Sequence, residues 1–290
     1  MSNATTHPLT IAFLGLGRMG TELALKLVDD HQLTVWNRTK EKTQALVDKG
    51  ACAADTPAEA VAGADLVITS LFGPDTVREV VIKPNLIPEG VTWADTTTVS
   101  PADADEFARA VEGYVHAPVV GTLTPARNGK LGVFVGGTDA SRRTIVAEVV
   151  APWAAANPER LKVVDSGAKA ATGKLLANLA LAVTAQGYKE ALYLGESQGL
   201  DAAEVSDLLG STGLEFMRTM KQPFVLGERE TSPGDFTVDA IAKDARLMLD
   251  SADQDLPAVR AALDSLEGQQ EAGRGDHDFS SLMVYRNEQG

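Results

Sequence analysis

The sequence predicts an α/β domain with a parallel sheet, followed by an all-α domain that begins with a long helix. Two observations support this fold class. From Leu9 to about Val164, short β-rich runs alternate with amphipathic helical patterns, which is typical of a parallel sheet with helices on both faces. After Ser166 and Gly167, strand signals almost disappear through to the C-terminus. We therefore expect one domain over residues 1–166 and a second, helical domain over residues 167–290.

Each expected strand of the first domain is a short apolar or β-branched run. The six strands cover residues 9–14, 33–37, 66–71, 92–95, 131–135 and 161–164. Helices are expected between them over residues 19–28, 40–49, 57–61, 75–81, 101–111 and 140–149. Some of these helices have start signals, because Thr39, Thr56 and Ser100 are typical N-cap residues and Pro57 and Pro101 favour the first helical turn.

The second domain opens with a helix over about residues 171–198, in which leucines are interspersed with alanines. The length of this helix suggests that it joins the two domains. Further helices are expected over residues 202–209, 214–220, 239–254 and 257–270. The apolar stretch over residues 175–183 is too short to span a bilayer, so we interpret it as a buried core segment.

Composition and charge exclude several classes of protein. The chain has 290 residues with 40 acidic and 26 basic side chains, and its formal net charge of −14 argues against a nucleic-acid or anionic-membrane binder. The single cysteine, Cys52, rules out an internal disulfide framework and is expected to be a small strand residue. Because the polar N-terminal residues carry no targeting pattern, we expect a cytoplasmic protein. No metal site is expected.

A Gly-x-Gly-x-x-Gly turn follows the first expected strand and consists of Gly15, Leu16, Gly17, Arg18, Met19 and Gly20. Between a strand and a helix, such a turn places backbone N–H groups and a helix N-terminus against a pyrophosphate. The motif therefore predicts a dinucleotide-binding Rossmann domain.

The end of the second strand indicates which dinucleotide binds. Asn37, Arg38 and Thr39 stand where an acidic residue would accept hydrogen bonds from both ribose hydroxyls of NAD. Since Asn37 is neutral and the Arg38 guanidinium suits a 2′-phosphate, the sequence predicts NADP(H) as the cofactor. Arg18, Lys40 and Lys42 add positive charge near this point. A solvated helix start after a strand is the alternative interpretation of these basic residues.

Lys174 and Asn178 are the candidate catalytic residues. Their spacing of four residues places both on one face of the long helix. A lysine ammonium near a bound nicotinamide could protonate the oxygen of a carbonyl as hydride arrives, and a neutral amine could take that proton back in oxidation. On spacing alone, two solvated residues on a helix face are the alternative.

Six segments in order along the chain carry a family resemblance. They are residues 15–20; residues 95–101; Ala117, Pro118 and Val119 with Gly121, Ala126, Arg127, Gly129 and Leu131; residues 174–178; Phe236 with Lys243 and Asp244; and residues 275–280. Together they resemble the 3-hydroxyisobutyrate dehydrogenase family of β-hydroxyacid dehydrogenases, which includes glyoxylate and succinic semialdehyde reductases. The resemblance spans essentially the whole chain.

The resemblance implies roles for individual residues. Lys174 matches the catalytic lysine of the family, and Asn178 matches its partner that holds the substrate. Thr98 falls in the segment that approaches the nicotinamide ribose, and Lys243 matches a lysine that reaches into the cofactor cleft. A helix N-cap region for residues 97–100 and a surface charge pair for Lys243 and its neighbour are the alternatives.

Two further expectations follow. Leu71 and Phe72 are expected to join the glycine turn and residues 37–39 in binding the cofactor. The family resemblance and the long apolar helix suggest a homodimer or homotetramer, although a buried core explains the same apolar pattern.

The expected substrate-binding segment departs from the family pattern. The family usually reads Asp-Ala-Pro-Val-Ser-Gly-Gly, whereas this chain has His116 at the first position and Val120, Gly121 and Thr122 at the last three. In the family the serine grips the substrate carboxylate, so Val120 removes a donor and adds bulk. Thr122 could restore a hydroxyl or narrow the loop, and we expect a structural role for His116.

Phe216 is the last expected substrate-binding residue. It precedes Met217 where the family lines the far side of its substrate pocket, and both side chains suggest an apolar wall. Helical packing is the alternative.

These observations favour an NADP(H)-dependent oxidoreductase that transfers hydride between the nicotinamide and a small aldehyde, oxo-acid or β-hydroxyacid, with Lys174 as general acid and base. An imine reductase is an alternative because the carboxylate loop is altered, although imine reductases generally lack the lysine. A non-catalytic NADP(H)-binding protein is the alternative of another class.

Overall fold

The computed structural model describes residues 8–285. The chain divides into two compact units, Met1–Lys174 and Leu175–Gly290. The domain boundary expected from the sequence, between residues 166 and 167, lies eight residues before the boundary of these units. Residues 1–7 and 286–290 of the two expected domains lie outside the described residues.

The first unit contains one sheet, whose strands among the described residues are β1 (Thr10–Leu14), β2 (Gln32–Trp36), β3 (Cys52–Ala53), β4 (Leu66–Thr69), β5 (Thr92–Asp95), β6 (Tyr114–His116), β7 (Val119–Val120), β8 (Gly132–Gly136) and β9 (Leu161–Val164). The strand order is β3-β2-β1-β4-β5-β6-β8-β7, and β9 pairs with β8. Strands β1 to β6 pair in parallel, with Ile11 opposite both Leu33 and Leu66.

The sheet is mostly parallel, which confirms the predicted α/β fold class, and β8 adds antiparallel pairings to it. This strand runs antiparallel to β6 and β7, with His116 opposite Gly136 and Val119 opposite Val133. The connection from β7 to β8, which contains a short helix, begins and ends at the same end of the sheet, because an antiparallel neighbour needs no crossover to the opposite end. Strands β6 and β7 were not predicted, and β3 was expected only as a strand position for Cys52, because two or three residues are too few to show a periodic pattern. Cys52 is a strand residue, as expected, and it is exposed.

The helices of this unit are α1 (Arg18–Leu25), α2 (Gln44–Val47), α3 (Pro57–Val61), α4 (Pro74–Val77), α5 (Pro101–Ala110), α6 (Leu123–Arg127) and α7 (Ala140–Val150). Two predicted helices are irregular, because a 3₁₀ turn over Lys40–Thr43 precedes α2 and a π turn over Arg78–Ile82 follows α4. The predicted caps at Thr56 and Ser100 are confirmed, since both side chains accept a backbone N–H of the first turn. Thr39 precedes the 3₁₀ turn without such a bond.

Alternate residues of the central strands enter two separate apolar cores. On one face Ile11 and Phe13 pack with Ile68, and on the other face Ala12 and Leu14 pack with neighbours that include Trp93. Burial of both faces explains why the strands are continuously apolar.

The long helix α8 (Gly167–Ser197) begins four residues before its predicted start. Ser166 caps it, because its hydroxyl accepts the backbone N–H of Lys169 at 3.2 Å. The second unit continues with α9 (Ala202–Leu208), α10 (Glu215–Val225), α11 (Val238–Ser251), α12 (Pro257–Glu271) and the short α13 (Ser281–Val284), which was not predicted. Tyr188, Ile241, Leu266 and Phe279 are fully buried in its core. Within residues 8–285, every helix is too short or too polar to cross a bilayer.

Candidate active site and cofactor site

The glycine turn lies between β1 and α1, and its glycines meet different constraints. Gly15 has a φ of +100°, and a Cβ on it would lie 2.3 Å from the carbonyl oxygen of Ser70. A Cβ on Gly20 would lie 2.1 Å from the carbonyl oxygen of Gly15. Gly17 is exposed, and no atom lies within 4 Å of a Cβ built there. The first and third glycines therefore allow close packing, while Gly17 leaves backbone accessible for a ligand, as a pyrophosphate site requires.

The start of α1 fits an anion. Gly17 is its N-cap residue and provides no side-chain cap, so the helix presents its first N–H groups without a capping side chain. A cleft of about 420 Å³ lies here, lined by Leu16, Gly17, Arg18, Thr21, Glu41, Lys42 and Ala45. Arg18 and Lys42 supply positive charge to it. Lys40 instead forms an ion pair with Asp55.

Asn37 connects the glycine turn to the end of β2. Its Oδ1 accepts the backbone N–H of Leu16 at 2.9 Å, and its Nδ2 donates to the carbonyl oxygen of Thr39 at 2.8 Å. A carboxylate at this position could accept the first bond but could not donate the second. Arg38 and Thr39 are exposed directly after β2. This strand end thus offers a guanidinium and a hydroxyl, and a carboxylate is absent from residues 37–39.

The other residues of this unit that are expected to bind the cofactor lie in two loops, and a hydrogen bond connects these loops. The backbone N–H of Leu71, after β4, donates to the hydroxyl of Thr97, after β5, at 3.0 Å. Phe72 is exposed and Thr98 is half-buried in the same loops. The N-cap interpretation of residues 97–100 holds for Ser100 alone, because its side chain caps α5.

The loop with Val120, Gly121 and Thr122 connects β7 to α6. Val120 is half-buried and lies opposite Gly132 of β8. Gly121 has a φ of +140°, and a Cβ on it would lie 2.7 Å from a methyl carbon of Leu131. Thr122 is the N-cap residue of α6 but makes no side-chain cap bond. The positive φ and this close contact therefore favour glycine at position 121.

A side-chain bond links the helix after the glycine turn to the helix after the Val120 loop. Arg127 of α6 donates through Nε to Glu22 of α1 at 2.8 Å, and its Nη2 lies 2.7 Å from the same carboxylate oxygen. This connection could not be predicted from the sequence, because Glu22 and Arg127 are far apart along the chain and both are residue types that are common on protein surfaces.

Lys174 and Asn178 are both buried on α8, one helical turn apart, so the interpretation as solvated residues is wrong. Asn178 donates through Nδ2 to Asp244 of α11 at 2.5 Å. Lys243 donates to the other oxygen of Asp244 at 2.6 Å. Asp244 is 2% exposed, so the interpretation of Lys243 and Asp244 as a surface charge pair is also wrong.

Asp244 therefore orients two of the expected site residues, although the sequence suggested no role for it. Its place next to Lys243 in a matching segment was the available signal. Phe216 differs from the other expected site residues of this unit, because it is exposed. It lies on α10 next to Met217, which is buried in the helical core.

A second cavity of the first unit lies away from these residues. Its volume is about 1140 Å³, and it is formed mainly by α7, the turn after α7 and β9. None of the residues expected to bind cofactor or substrate lines it.

Two family models cover almost the whole described chain. Residues 10–167 match the NAD binding domain of 6-phosphogluconate dehydrogenase, and residues 168–285 match the NAD-binding domain of NADP-dependent 3-hydroxyisobutyrate dehydrogenase.

Individual relatives are also similar to this chain over nearly its whole length. An uncharacterized oxidoreductase of Shewanella frigidimarina is 32% identical over 94% of this chain and 97% of its own length. Glyoxylate/succinic semialdehyde reductase 1 of Arabidopsis thaliana is 28% identical over 95% of this chain and 97% of its own length. The structure of 3-hydroxyisobutyrate dehydrogenase of Mycobacterium tuberculosis with L-serine superimposes with a TM-score of 0.80 at 26% identity, covering 95% of this chain and 98% of that one.

The glycine turn, the uncapped start of α1 and the two family models agree on a dinucleotide-binding protein whose homologues are hydroxyacid dehydrogenases. The chain belongs to the 3-hydroxyisobutyrate dehydrogenase-like family of NAD(P)-binding oxidoreductases.

Proposed function

We propose that the protein is an NADP(H)-dependent reductase of small aldehydes or oxo-acids that also oxidises a β-hydroxyacid in the reverse direction, with Lys174 as general acid and base. The observation that carries this proposal is the buried pair of Lys174 and Asn178 on one face of α8, with Asn178 held by Asp244. Burial separates both groups from bulk water, and a fixed amide can orient a substrate.

The chain's own residues supply binding and proton transfer. The glycine turn and the start of α1 would hold the pyrophosphate, and Leu71, Phe72, Thr98 and Lys243 would bind the rest of the cofactor. Bound NADPH supplies the hydride. Lys174 donates a proton to the carbonyl oxygen of the substrate as it becomes a hydroxyl, and takes that proton back in the oxidation. Asn178 and the Val120–Thr122 loop orient the substrate.

The cofactor preference is proposed from the end of β2. Asn37 uses its side-chain oxygen to hold Leu16 and carries no charge, while the exposed Arg38 can bind a 2′-phosphate. We expect the Arg38→Ala change to lower kcat/KM with NADPH by about tenfold or more, with little effect on NADH, because a charge-assisted phosphate contact is lost. Lys40→Ala is the matched control, since Lys40 bonds to Asp55. Equal kcat/KM values for NADH and NADPH in the wild type would contradict the preference.

The test of the activity is NADPH consumption with glyoxylate, succinic semialdehyde, aldehydes without an acid group and cyclic imines. The first two compounds appear in the name of the Arabidopsis relative. We expect turnover of at least one aldehyde, and we expect Lys174→Ala to abolish most of it. Lys169→Ala is the matched control, because Lys169 lies on the same helix but is exposed and paired with Asp165. Full activity of the Lys174→Ala protein would show that the proton donor is another group.

Imine reduction is a second candidate, and Val120 favours it. An isopropyl group in place of the family serine weakens carboxylate binding and suits a neutral substrate. Turnover of cyclic imines alone would replace the leading proposal with this one. Turnover of neutral aldehydes without any advantage for acids would instead support the proposed effect of Val120 within the leading function. NADPH binding without turnover of any compound would favour a non-catalytic binding protein.

A further inference from the structure

A buried polar network lies at the carboxyl ends of β4, β5 and β6. Asp95, the last residue of β5, is fully buried. Its Oδ1 accepts the hydroxyl of Thr69 at 2.7 Å and the backbone N–H of Thr97 at 3.0 Å. One carboxylate oxygen therefore bonds to the ends of two neighbouring strands.

The network continues into the two loops that follow these strands. The Thr97 hydroxyl accepts the backbone N–H of Leu71 at 3.0 Å. Thr96 donates its backbone N–H at 2.8 Å and its hydroxyl at 2.9 Å to the carbonyl oxygen of Thr69. These bonds fix the β4 loop, which contains Leu71 and Phe72, against the β5 loop, which contains Thr98.

The second oxygen of Asp95 has a different environment. Among residues 8–285, Oδ2 has no hydrogen-bond partner, and it lies 3.9 Å from Nδ1 of the buried His116. The Tyr114 hydroxyl lies 3.1 Å from the same nitrogen. Burial lowers the pKa of His116 to about 3, so this histidine is neutral near pH 7 and gives Asp95 no ionic partner.

Stability does not explain a carboxylate at this position. Burial raises the pKa of Asp95 to about 6, and its hydrogen bonds with Thr97 and Thr69 offset only part of that effect. A buried charge without an ionic partner costs free energy of folding. What the Asp95 side chain provides is one acceptor oxygen, which bonds to a hydroxyl and a backbone N–H at the point where two loops begin.

We infer that Asp95 is a positioning residue of the cofactor site, which sets the geometry of the β4 and β5 loops through its bonds to Thr69 and Thr97. The inference rests on the proposed function, because the cofactor roles of Leu71, Phe72 and Thr98 belong to that proposal. Asp95 acts through these residues and does not touch the cofactor.

The first experiment compares Asp95→Ala with Asp95→Asn in the full-length protein. NADPH affinity is measured by fluorescence titration, and kcat and KM are measured with the best aldehyde. We expect Asp95→Ala to weaken NADPH binding and to lower kcat by about 100-fold, since a small displacement of binding loops misaligns the reacting atoms. We expect Asp95→Asn to restore both quantities, because the amide oxygen keeps both acceptor bonds.

The matched control is Thr92→Ala. Thr92 is a buried polar residue at the other end of β5, where its hydroxyl accepts a bond from Arg142 at 3.0 Å. We expect this change to lower the melting temperature without weakening NADPH binding. If Thr92→Ala weakened NADPH binding as much as Asp95→Ala, the effect would be general loss of packing and the inference would be wrong.

A second pair of variants is used if Asp95→Ala does not fold. Thr97→Val removes the acceptor for Leu71 with little change in shape, and Thr97→Ser keeps it. We expect the valine variant to weaken NADPH binding and the serine variant to match the wild type. Equal binding by both variants, or wild-type binding by a folded Asp95→Ala protein, overturns the inference while leaving the proposed function intact. A wild-type protein that binds no NADPH overturns both.

Discussion

At the residue scale, Asp244 connects the expected substrate-holding amide to the expected cofactor lysine. Its two oxygens accept from Asn178 and Lys243, so its removal takes a hydrogen-bond acceptor from each of these two side chains. We predict that Asp244→Ala lowers kcat/KM for the carbonyl substrate by about 100-fold, because both groups lose a fixed orientation. Steady-state kinetics check this, with Asp250→Ala as the control, since Asp250 is exposed on the same helix. Unchanged kinetics in a folded Asp244→Ala protein would contradict the prediction.

The ionisation of Asp95 gives a second prediction at this scale. Burial raises its pKa from 3.8 to about 6, so the neutral form is the one that folding favours. Its contribution to stability is present below about pH 4 and is lost as the pH rises through 6. Relative to Asp95→Asn, the free energy of unfolding of the wild type should fall by up to about 3 kcal/mol between pH 4 and pH 7.5. Urea unfolding at several pH values measures this difference, and a flat difference would show that Asp95 titrates normally.

At the element scale, a buried ion pair ties α10 to the segment before α13. Lys221 donates to Asp278 at 2.6 Å, and the second oxygen of Asp278 accepts the backbone N–H of Phe236. We predict that Lys221→Met lowers the free energy of unfolding by about 3–5 kcal/mol, because it leaves a buried carboxylate without its cation. The double variant with Asp278→Asn should recover part of this loss. Denaturant unfolding tests both, and a double variant less stable than Lys221→Met would contradict this explanation.

The helices and strands differ in how well the sequence predicts them. Long periodic segments, the caps at Thr56 and Ser100 and the glycine turn carry local signals, so their positions could be predicted from the sequence. Strand β7 and helix α6 are too short for periodicity, and the antiparallel pairing of β8 is decided by contacts distant along the chain. For the same reason, Lys174 and Asn178 could be proposed from a motif, whereas Asp244 and Asp95 required knowledge of which residues meet.

At the scale of the whole molecule, a homodimer or homotetramer remains a prediction. The second unit exposes large apolar side chains on neighbouring helices, with Leu194 of α8 68% exposed and Leu208 of α9 67% exposed. Exposed apolar patches commonly mark protein contacts. We therefore expect light scattering to give the mass of a dimer or tetramer at micromolar concentration, and we expect Leu194→Glu to lower it. Glu190→Gln, an exposed polar change on the same helix, is the control. A monomeric wild type would contradict the prediction.

The pairing of β6, β7 and β8 limits which residues near the proposed substrate loop can be exchanged. His116, Val119 and Val120 all keep one antiparallel register with β8, so the chain before and after Gly121 is anchored to the sheet. The segment between β7 and β8, residues 121–131, is thus held at both ends by the pairing of Val120 with Gly132. Because Arg127 within this segment bonds to Glu22 of α1, an exchange of the segment between homologues must keep this pair. With that pair kept, we predict that exchange of residues 121–131 changes the proposed substrate preference while the parallel strands β1 to β6 keep their pairing.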